Sequence, residues 1–214
     1  MKHALRLLVA GCGATLLCSP ASATEFSIQP SIVVASPGAV GDAFDVVLTN
    51  NGASSITVGT FAFEVSVTDP DITFVGADFS TSAAPYIFAG QSVDETFSLP
   101  LLTSNTGQTL DASDSFFPFG SGATLTPGES LALGEVLFDV SPTAAPGSFA
   151  VSFTGTPSVA DANNLSDPTG APIGVDTFTP GSIDVVSSPE PSSIFLVLTG
   201  AAALALSIRR RRRT

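Results

Sequence analysis

Two neighbouring stretches, GDAFDVVLTNNG (residues 41–52) and ITVGTFAFEVSV (residues 56–67), decide the fold class of this chain. In the second stretch every other residue from Phe61 to Val67 is apolar, while the residues between them are small or polar. An extended chain places alternate side chains on opposite faces, so this stretch has one apolar face. Asn50, Asn51 and Gly52 form a turn signal between the stretches. The pattern predicts two strands that each bury one face.

Further strands are predicted along the rest of the chain. They are ITFVGA (72–77), ETFSLPLL (95–102), ALGEVLFDV (132–140), GSFAVSFTG (147–155) and GSIDVVS (181–187). Nineteen glycines and sixteen prolines separate these segments. Because no stretch of helix length with a 3.6-residue period precedes the C-terminal tail, we expect an all-β, single jelly-roll or immunoglobulin-like sandwich over residues 24–186.

The strand sequences resemble a known family of sandwiches. VGDAFDVVLTNNG (40–52) and VGTFAFEVSVTDPDITFVGAD (58–78) are similar to the opening strands of cohesin-like jelly rolls. LTPGESLALGEVLFDVSPTAAPGSFAVSF (125–153) is similar to their later strands. The resemblance covers residues 40–154 and implies a fold rather than a function, because one fold serves many functions. It does not imply a dockerin partner.

Charge divides the chain sharply. All basic residues are terminal: Lys2 and Arg6 at one end, and a run of five arginines at the other. The arginines are Arg209, Arg210, Arg211, Arg212 and Arg213. Residues 24–188 contain no Lys, Arg, His, Cys or Trp, yet they hold every acidic residue except Glu190. A basic nucleic-acid interface in the folded domain is therefore excluded.

Residues 1–23 have the pattern of a signal peptide. Lys2 and Arg6 precede a short apolar run, and Ala21 and Ala23 supply the small residues that signal peptidase accepts. We expect cleavage after Ala23, which also removes both cysteines. The alternative is lipidation at Cys12, but the apolar run before Cys12 is short for that pathway.

The C-terminal tail predicts a membrane segment. The apolar residues 194–208 would extend about 22 Å as a helix, against a hydrocarbon core of about 30 Å. With two preceding serines, a single helix over residues 192–208 can span the bilayer. The arginines would then stop transfer on the cytoplasmic side.

The tail as a whole (187–214) resembles the PEP-CTERM sorting signal of exopolysaccharide-producing Gram-negative bacteria. Pro189, Glu190 and Pro191 precede the apolar helix and the arginines, with Ser188 where the family usually has Val. The resemblance implies an inner-membrane precursor that an exosortase processes after signal peptidase has acted. It also implies delivery to the cell surface or extracellular matrix. The alternative is a plain membrane anchor.

The missing residue types exclude most catalytic chemistry. Without His, Cys or Lys, the domain cannot form a nucleophile–base triad or a Cys/His zinc site. Carboxylate chemistry remains possible, but the sequence singles out no acid pair. We therefore predict a protein that is not an enzyme and that needs no organic cofactor.

Two binding sites are candidates. Asp161, Asn163 and Asp167 have partial calcium-loop spacing, although Ser166 and Pro172 occupy positions where an EF-hand has Gly and Glu. The alternative for these residues is a solvated turn.

Tyr86 and the run Phe116-Phe117-Pro118-Phe119 are the candidates for stacking on a sugar, with Tyr86 and Phe117 as the residues to test. The alternative for the run is a place in the core or under a loop. The predicted function is a structural or adhesive role in an exopolysaccharide matrix or biofilm. The alternative is a carbohydrate-binding module that acts on the exopolysaccharide.

Overall fold

The computed structural model describes residues 24–154 and 163–187, which form a sandwich of two β-sheets. The strands are β1 (Thr24–Gln29), β2 (Ile32–Ala35), β3 (Asp42–Asn50), β4 (Ile56–Val58), β5 (Thr60–Val67), β6 (Ile72–Asp78), β7 (Leu102–Asn105), β8 (Thr109–Ser115), β9 (Ala123–Leu125), β10 (Ser130–Val140), β11 (Gly147–Phe153), β12 (Asn164–Ser166), β13 (Pro172–Ile173), β14 (Thr177–Thr179) and β15 (Gly181–Val185). One short helix, α1 (Val93–Phe97), lies between β6 and β7.

The smaller sheet has the strand order β14-β1-β3-β10-β6. Its pairs are antiparallel except for β1 with β14, which run parallel. A β-bulge interrupts the pairing of β10 with β3 between Ala132 and Gly134.

In the larger sheet, β5 is the central strand. One edge of β5 pairs with β8, and the other edge pairs first with β12 and then with β11. The sheet continues from β11 through β15 to β2, and from β8 to β7. Strands β4 and β9 form a separate two-stranded sheet. The all-β sandwich expected from the alternating pattern is confirmed, whereas the predicted helix 192–208 lies outside the described residues.

The core lies between the two sheets and is rich in phenylalanine. Alternate residues of β5, from Phe61 to Val67, are buried, as the sequence predicts. On the opposing sheet the ring centroid of Phe44 lies 6.0 Å from that of Phe74 and 6.1 Å from that of Phe138. The other face of β3 carries Asp45 and Val47, which are also fully buried, so additional chain covers it.

A buried carboxylate attaches that covering chain to the sheet. Asp45 points away from the core side of β3 and is fully buried. Its Oδ2 accepts hydrogen bonds from Ser82 N at 2.8 Å, from Ser82 Oγ at 3.2 Å and from Ala83 N. Its Oδ1 is buried and has no hydrogen-bond partner among the described residues. The segment between β6 and α1 is therefore held against the smaller sheet.

The neighbouring strands of this sheet carry two more acids. Glu135 lies directly opposite Asp45 on β3 and Asp78 on β6. Burial raises the pKa of the Glu135 carboxyl, and the nearby charges of Asp78 and Asp45 raise it further. This part of the sheet accommodates three acids without any basic partner.

A close backbone approach at Gly59 generates a stability prediction. A Cβ atom on Gly59 would lie 2.8 Å from both Asp167 O and Pro168 Cα. Gly59→Ala must displace the 167–170 turn, so we expect it to lower the unfolding free energy by about 1–3 kcal/mol in urea denaturation.

The matched control is Gly76→Ala, because a Cβ on Gly76 meets no atom within 4 Å. We expect its stability to equal that of the wild type or to exceed it slightly. Equal losses in the two variants would contradict the close packing at Gly59.

Candidate functional site

Three exposed phenylalanine rings form a contiguous surface, called here the aromatic surface: Phe97, Phe117 and Phe119. The exposed fractions of these side chains are 57%, 36% and 72%. The ring centroid of Phe117 lies 5.8 Å from that of Phe97 and 5.9 Å from that of Phe119. Contiguous exposed apolar groups are typical of binding surfaces rather than of ordinary protein exterior.

Helix α1 places Phe97 at this surface. Ser92 caps the helix by accepting a hydrogen bond from Glu95 N at 2.9 Å, and Ser98 ends it in a left-handed conformation. The helix buries none of its residues, so Phe97 stays exposed. The strand predicted for residues 95–102 is therefore wrong except at Leu102, where β7 begins, because local capping overrides the apolar pattern.

The loop after β8 positions the other two rings. Phe116 points inward, where its ring centroid lies 5.7 Å from that of Phe88. The backbone is held by Phe116 N donating to Gly59 O at 2.8 Å and by Phe117 N donating to Gln91 O at 2.6 Å. Phe117 and Phe119 therefore face outward. The aromatic run 116–119 is divided between the core and the surface.

Tyr86 belongs to the core. Its exposed fraction is 7%, and its ring makes edge contacts with Phe61, Phe79 and Phe88. Its hydroxyl donates to Asp114 Oδ2 at 2.6 Å. Burial, and then the bond to Asp114, raises the pKa of the Tyr86 hydroxyl strongly. This placement corrects the expectation that Tyr86 stacks on a sugar, because a buried ring has no free face.

An acidic groove lies beside helix α1. Its volume is about 340 Å³, and its lining residues are Val93, Asp94, Leu99, Pro100, Ser113, Asp114 and Ser115. Asp114 Oδ1 accepts hydrogen bonds from Ser115 N at 2.6 Å and from Asp94 N at 3.3 Å. Burial and the charge of Asp114 raise the pKa of the Asp94 carboxyl to about 6. The groove therefore gains negative charge as the pH rises through 6.

A second groove lies beside Phe119. It has a volume of about 220 Å³ and is lined by the 167–170 turn together with Gly59, Thr60, Phe116, Phe119, Gly120 and Ser121. Asp167 Oδ1 accepts hydrogen bonds from Thr169 N and Thr169 Oγ1, both at 2.7 Å, and from Ala171 N at 3.0 Å. The Thr169 hydroxyl and these N–H groups lower the pKa of the Asp167 carboxyl. Asp167 therefore shapes its own turn and stays charged.

The candidate calcium residues are only partly described. Asn163 Oδ1 accepts a hydrogen bond from Glu64 N at 2.8 Å, and Asn163 Nδ2 donates to Thr154 O. Asp161 lies outside the described residues. Within residues 24–154 and 163–187, no group of three or more acidic, histidine or cysteine side chains is arranged to hold a metal ion. The calcium site stays a prediction.

The predicted targeting segments also lie outside the described residues. They include Ala21 and Ala23, the Pro189-Glu190-Pro191 motif and the five arginines. In the described part of the chain, no helix has the length and apolar character needed to cross a membrane.

Comparison with known proteins gives matches in structure alone. No protein-family model matches the chain, and no curated protein matches it. The seventh ScaB type I cohesin from Pseudobacteroides cellulosolvens matches with a TM-score of 0.54 at 11% identity, over 78% of this chain and 95% of that one. The domain has a cohesin-like fold.

Two further cohesins match the cohesin-like domain. The sixth cohesin of scaffoldin B from Acetivibrio cellulolyticus, solved in complex with a Cel5 dockerin, has a TM-score of 0.54 at 16% identity, covering 77% of this chain and all of that chain (100%). A non-cellulosomal cohesin from the archaeon Archaeoglobus fulgidus has a TM-score of 0.50 at 14% identity, covering 81% and 98%. At such identities the likeness concerns the fold, which confirms the fold expected from residues 40–154.

Sequence reasoning missed two features of this site. Phe97 falls in a predicted strand, and the run 116–119 is treated as one cluster, although Phe97 and Phe119 are both more exposed than Phe117. The signal that indicates the helix before Phe97 is the capping pattern from Ser92 to Glu95. Nothing local distinguishes the exposed Phe119 from the half-buried Phe116.

The buried Tyr86–Asp114 pair predicts an unusual titration. Tyr86 is the only tyrosine and the chain lacks tryptophan, so the change in ultraviolet absorbance on phenolate formation reports this side chain alone. We expect the native protein to show no phenolate near pH 10, where a free tyrosine is half-ionised. The same protein unfolded in urea should titrate normally.

Asp114→Asn is the companion variant, because it keeps an acceptor for the hydroxyl and removes the negative charge. We expect phenolate to form at lower pH in this variant than in the native protein. Half-ionisation near pH 10 in the folded wild type would contradict the buried placement.

Proposed function

We propose that this protein is an exported, non-enzymatic adhesion protein of the cell surface or extracellular matrix. Its cohesin-like domain would bind a protein partner through the aromatic surface. The observation that carries this proposal is the exposure of three contiguous rings on a domain with an ample phenylalanine core. Exposed aromatic anchors contribute strongly to protein interfaces.

Ring geometry favours a protein over a sugar. The ring planes of Phe97 and Phe117 meet at 78°, and those of Phe117 and Phe119 meet at 86°. Rings that are nearly perpendicular do not share one flat face. Stacking on a sugar also favours tryptophan and tyrosine, whose rims form hydrogen bonds, and phenylalanine has no such rim.

The charge of the domain restricts the partner further. Acidic grooves flank the aromatic surface, with Asp94 on one side and Asp167 on the other. Residues 24–188 supply no cationic side chain, so any side-chain ion pair across the interface needs Lys or Arg from the partner. A second copy of this domain would be repelled by its own charge. A partner with apolar side chains and flanking basic residues fits best.

The structural neighbours support a binding role of this class. One of the matching cohesins was solved with a dockerin bound, which is a protein–protein contact. Low identity gives no reason to transfer that particular partner. What supports the proposal is the combination of this fold with an exposed aromatic surface.

A carbohydrate-binding module remains the second candidate. Phe119 exposes 72% of its side chain beside a groove that also contains Thr60, Ser121 and Thr169. One free ring next to hydroxyl groups suits a single sugar unit of an exopolysaccharide. Phe117 stays a predicted contributor to such a site.

The export route completes the proposal. Signal peptidase would cleave after Ala23, and an exosortase would process the PEP-CTERM tail at the inner membrane of a Gram-negative bacterium. The mature protein would then act in an exopolysaccharide matrix or biofilm. The two terminal motifs in the sequence support this route.

Retention on matrix tests the binding role. We expect the purified protein to bind matrix from the producing cells, and Phe97→Ser or Phe119→Ser to weaken binding at least about tenfold, because each removes an exposed aromatic anchor. Protease treatment of the matrix should abolish binding. Val40→Ser is the control, because Val40 is 80% exposed and is not part of the aromatic surface.

Affinity electrophoresis in deproteinised exopolysaccharide separates the two candidates. If the exopolysaccharide retards the wild-type protein and Phe119→Ser abolishes the retardation, the carbohydrate-binding role replaces the protein-binding one. If Phe97→Ser, Phe119→Ser and Val40→Ser all bind the matrix as strongly as the wild type, the aromatic surface is not the binding site.

Replacement of the motif glutamate tests the sorting step. We expect Glu190→Ala to leave a longer, membrane-retained protein, whereas Asp71→Ala in a turn of the domain should be processed normally. Mass spectrometry of the membrane and extracellular fractions measures both. Mature wild-type protein that keeps its five arginines would indicate a plain anchor instead.

A further inference from the structure

The backbone nitrogen of Thr24 has a carboxylate partner. Thr24 N donates to Asp176 Oδ2 at 3.0 Å, and Asp176 N donates in return to Thr24 O at 2.9 Å. The Thr24 hydroxyl donates to Gly174 O. Three hydrogen bonds therefore join the first described residue to the segment that leads into β14.

We propose that cleavage after Ala23 creates the only internal ion pair of the mature domain, between the new α-ammonium of Thr24 and Asp176. In the precursor this nitrogen is a neutral amide. After cleavage the same nitrogen, 3.0 Å from a carboxylate oxygen, carries a positive charge. The pair supplies a cation to a domain whose residues 24–188 contain no Lys, Arg or His.

The chemistry favours the charged form. A free α-amino group has a pKa of about 7.7–8, and a carboxylate in hydrogen-bond contact raises it. Charge-assisted hydrogen bonds are also roughly twice as strong as neutral ones. Removal of the signal peptide would therefore strengthen a contact that already exists.

The position of the pair makes it relevant to the whole sheet. Strand β1 pairs with β14 in parallel, with Glu25 opposite Thr177, at the edge of the smaller sheet. These strands are distant in the sequence, so their contact joins the two ends of the domain. Processing would therefore stabilise the pairing of β1 with β14.

The geometry also selects the cleavage register. A chain that retained Ala23 would carry its ammonium one residue away, about 3.8 Å along the backbone. A chain that began at Glu25 would lose the Thr24 contacts with both Gly174 and Asp176. Only a mature start at Thr24 places the charge at Asp176.

The experiment uses the fact that Lys2 is the only lysine in the chain. The full chain is exported in a Gram-negative host, and the processed protein is sequenced from its N-terminus. A protein that starts at Thr24 has one primary amine, so an acetylating reagent modifies that group alone. Acetylation restores the neutral amide of the precursor while keeping an N–H donor. We expect it to lower the Tm at pH 7 by about 2–4 °C.

The pH dependence follows from the raised pKa of the ammonium. The stabilisation should be complete below about pH 7.7 and should disappear as the pH rises through the higher folded-state value. Native and acetylated proteins should therefore have equal Tm values by about pH 10.5. The other titratable groups of the paired strands are Glu25, next along β1, and Asp42 and Asp45 at the far end of β3.

Asp176→Asn is the decisive variant, since its side-chain oxygen still accepts the hydrogen bond but lacks the charge. Acetylation should leave its Tm unchanged. Asp139→Asn is the matched control, because Asp139 accepts a hydrogen bond from Gly41 N at 2.8 Å elsewhere, and it should keep the full acetylation effect. A mature start other than Thr24, an unchanged Tm in acetylated wild type, or an equal loss in Asp176→Asn would each overturn the proposal.

Discussion

The absence of any cationic side chain between residues 24 and 188 is the constraint on which the rest of this structure depends. A buried carboxylate is costly unless it is paired or hydrogen-bonded, and here only N–H and O–H groups can serve. Asp45 is bound by Ser82 and Ala83, Asp114 by Tyr86 and two backbone N–H groups, and Asp167 by its own turn. The acids therefore order the loops around the sandwich.

The loops that these carboxylates hold are the ones that build the aromatic surface. Asp45 attaches the segment after β6, and Asp114 connects β8 to Tyr86 and to the start of helix α1. With both ends of this segment bound, Phe88 lies in the core, the half-buried Phe116 packs against it, and Phe97, Phe117 and Phe119 face solvent. The arrangement gives an apolar surface that is bordered by negative charge. That combination underlies the preference for a basic partner with apolar side chains.

Maturation has a physical meaning in such a domain. Mutual repulsion among acids destabilises a compact state, and one internal cation reduces it locally. The contact between Thr24 and Asp176 lies beside the pairing of β1 with β14, which are the first and the last strand of the smaller sheet in sequence order. Under the proposed cleavage after Ala23, processing would affect the stability of the folded domain through the backbone nitrogen of Thr24.

The sequence by itself determined the all-β class and the buried face of β5, and it indicated the candidate targeting segments, because alternation over several residues and linear motifs are local properties. It predicted one buried face for β3, whereas both faces of β3 are buried because further chain covers the second one. It did not determine β8, whose polar sequence TLDASDS becomes a strand through pairing with β5. It misassigned residues 95–101, because capping by Ser92 produces a helix that ends at Phe97 and the next strand begins only at Leu102. It also could not sort Tyr86 from Phe117 or Phe119. Which ring is buried depends on backbone contacts with Gly59 and Gln91, which are distant in sequence, and only the tertiary structure brings these groups together.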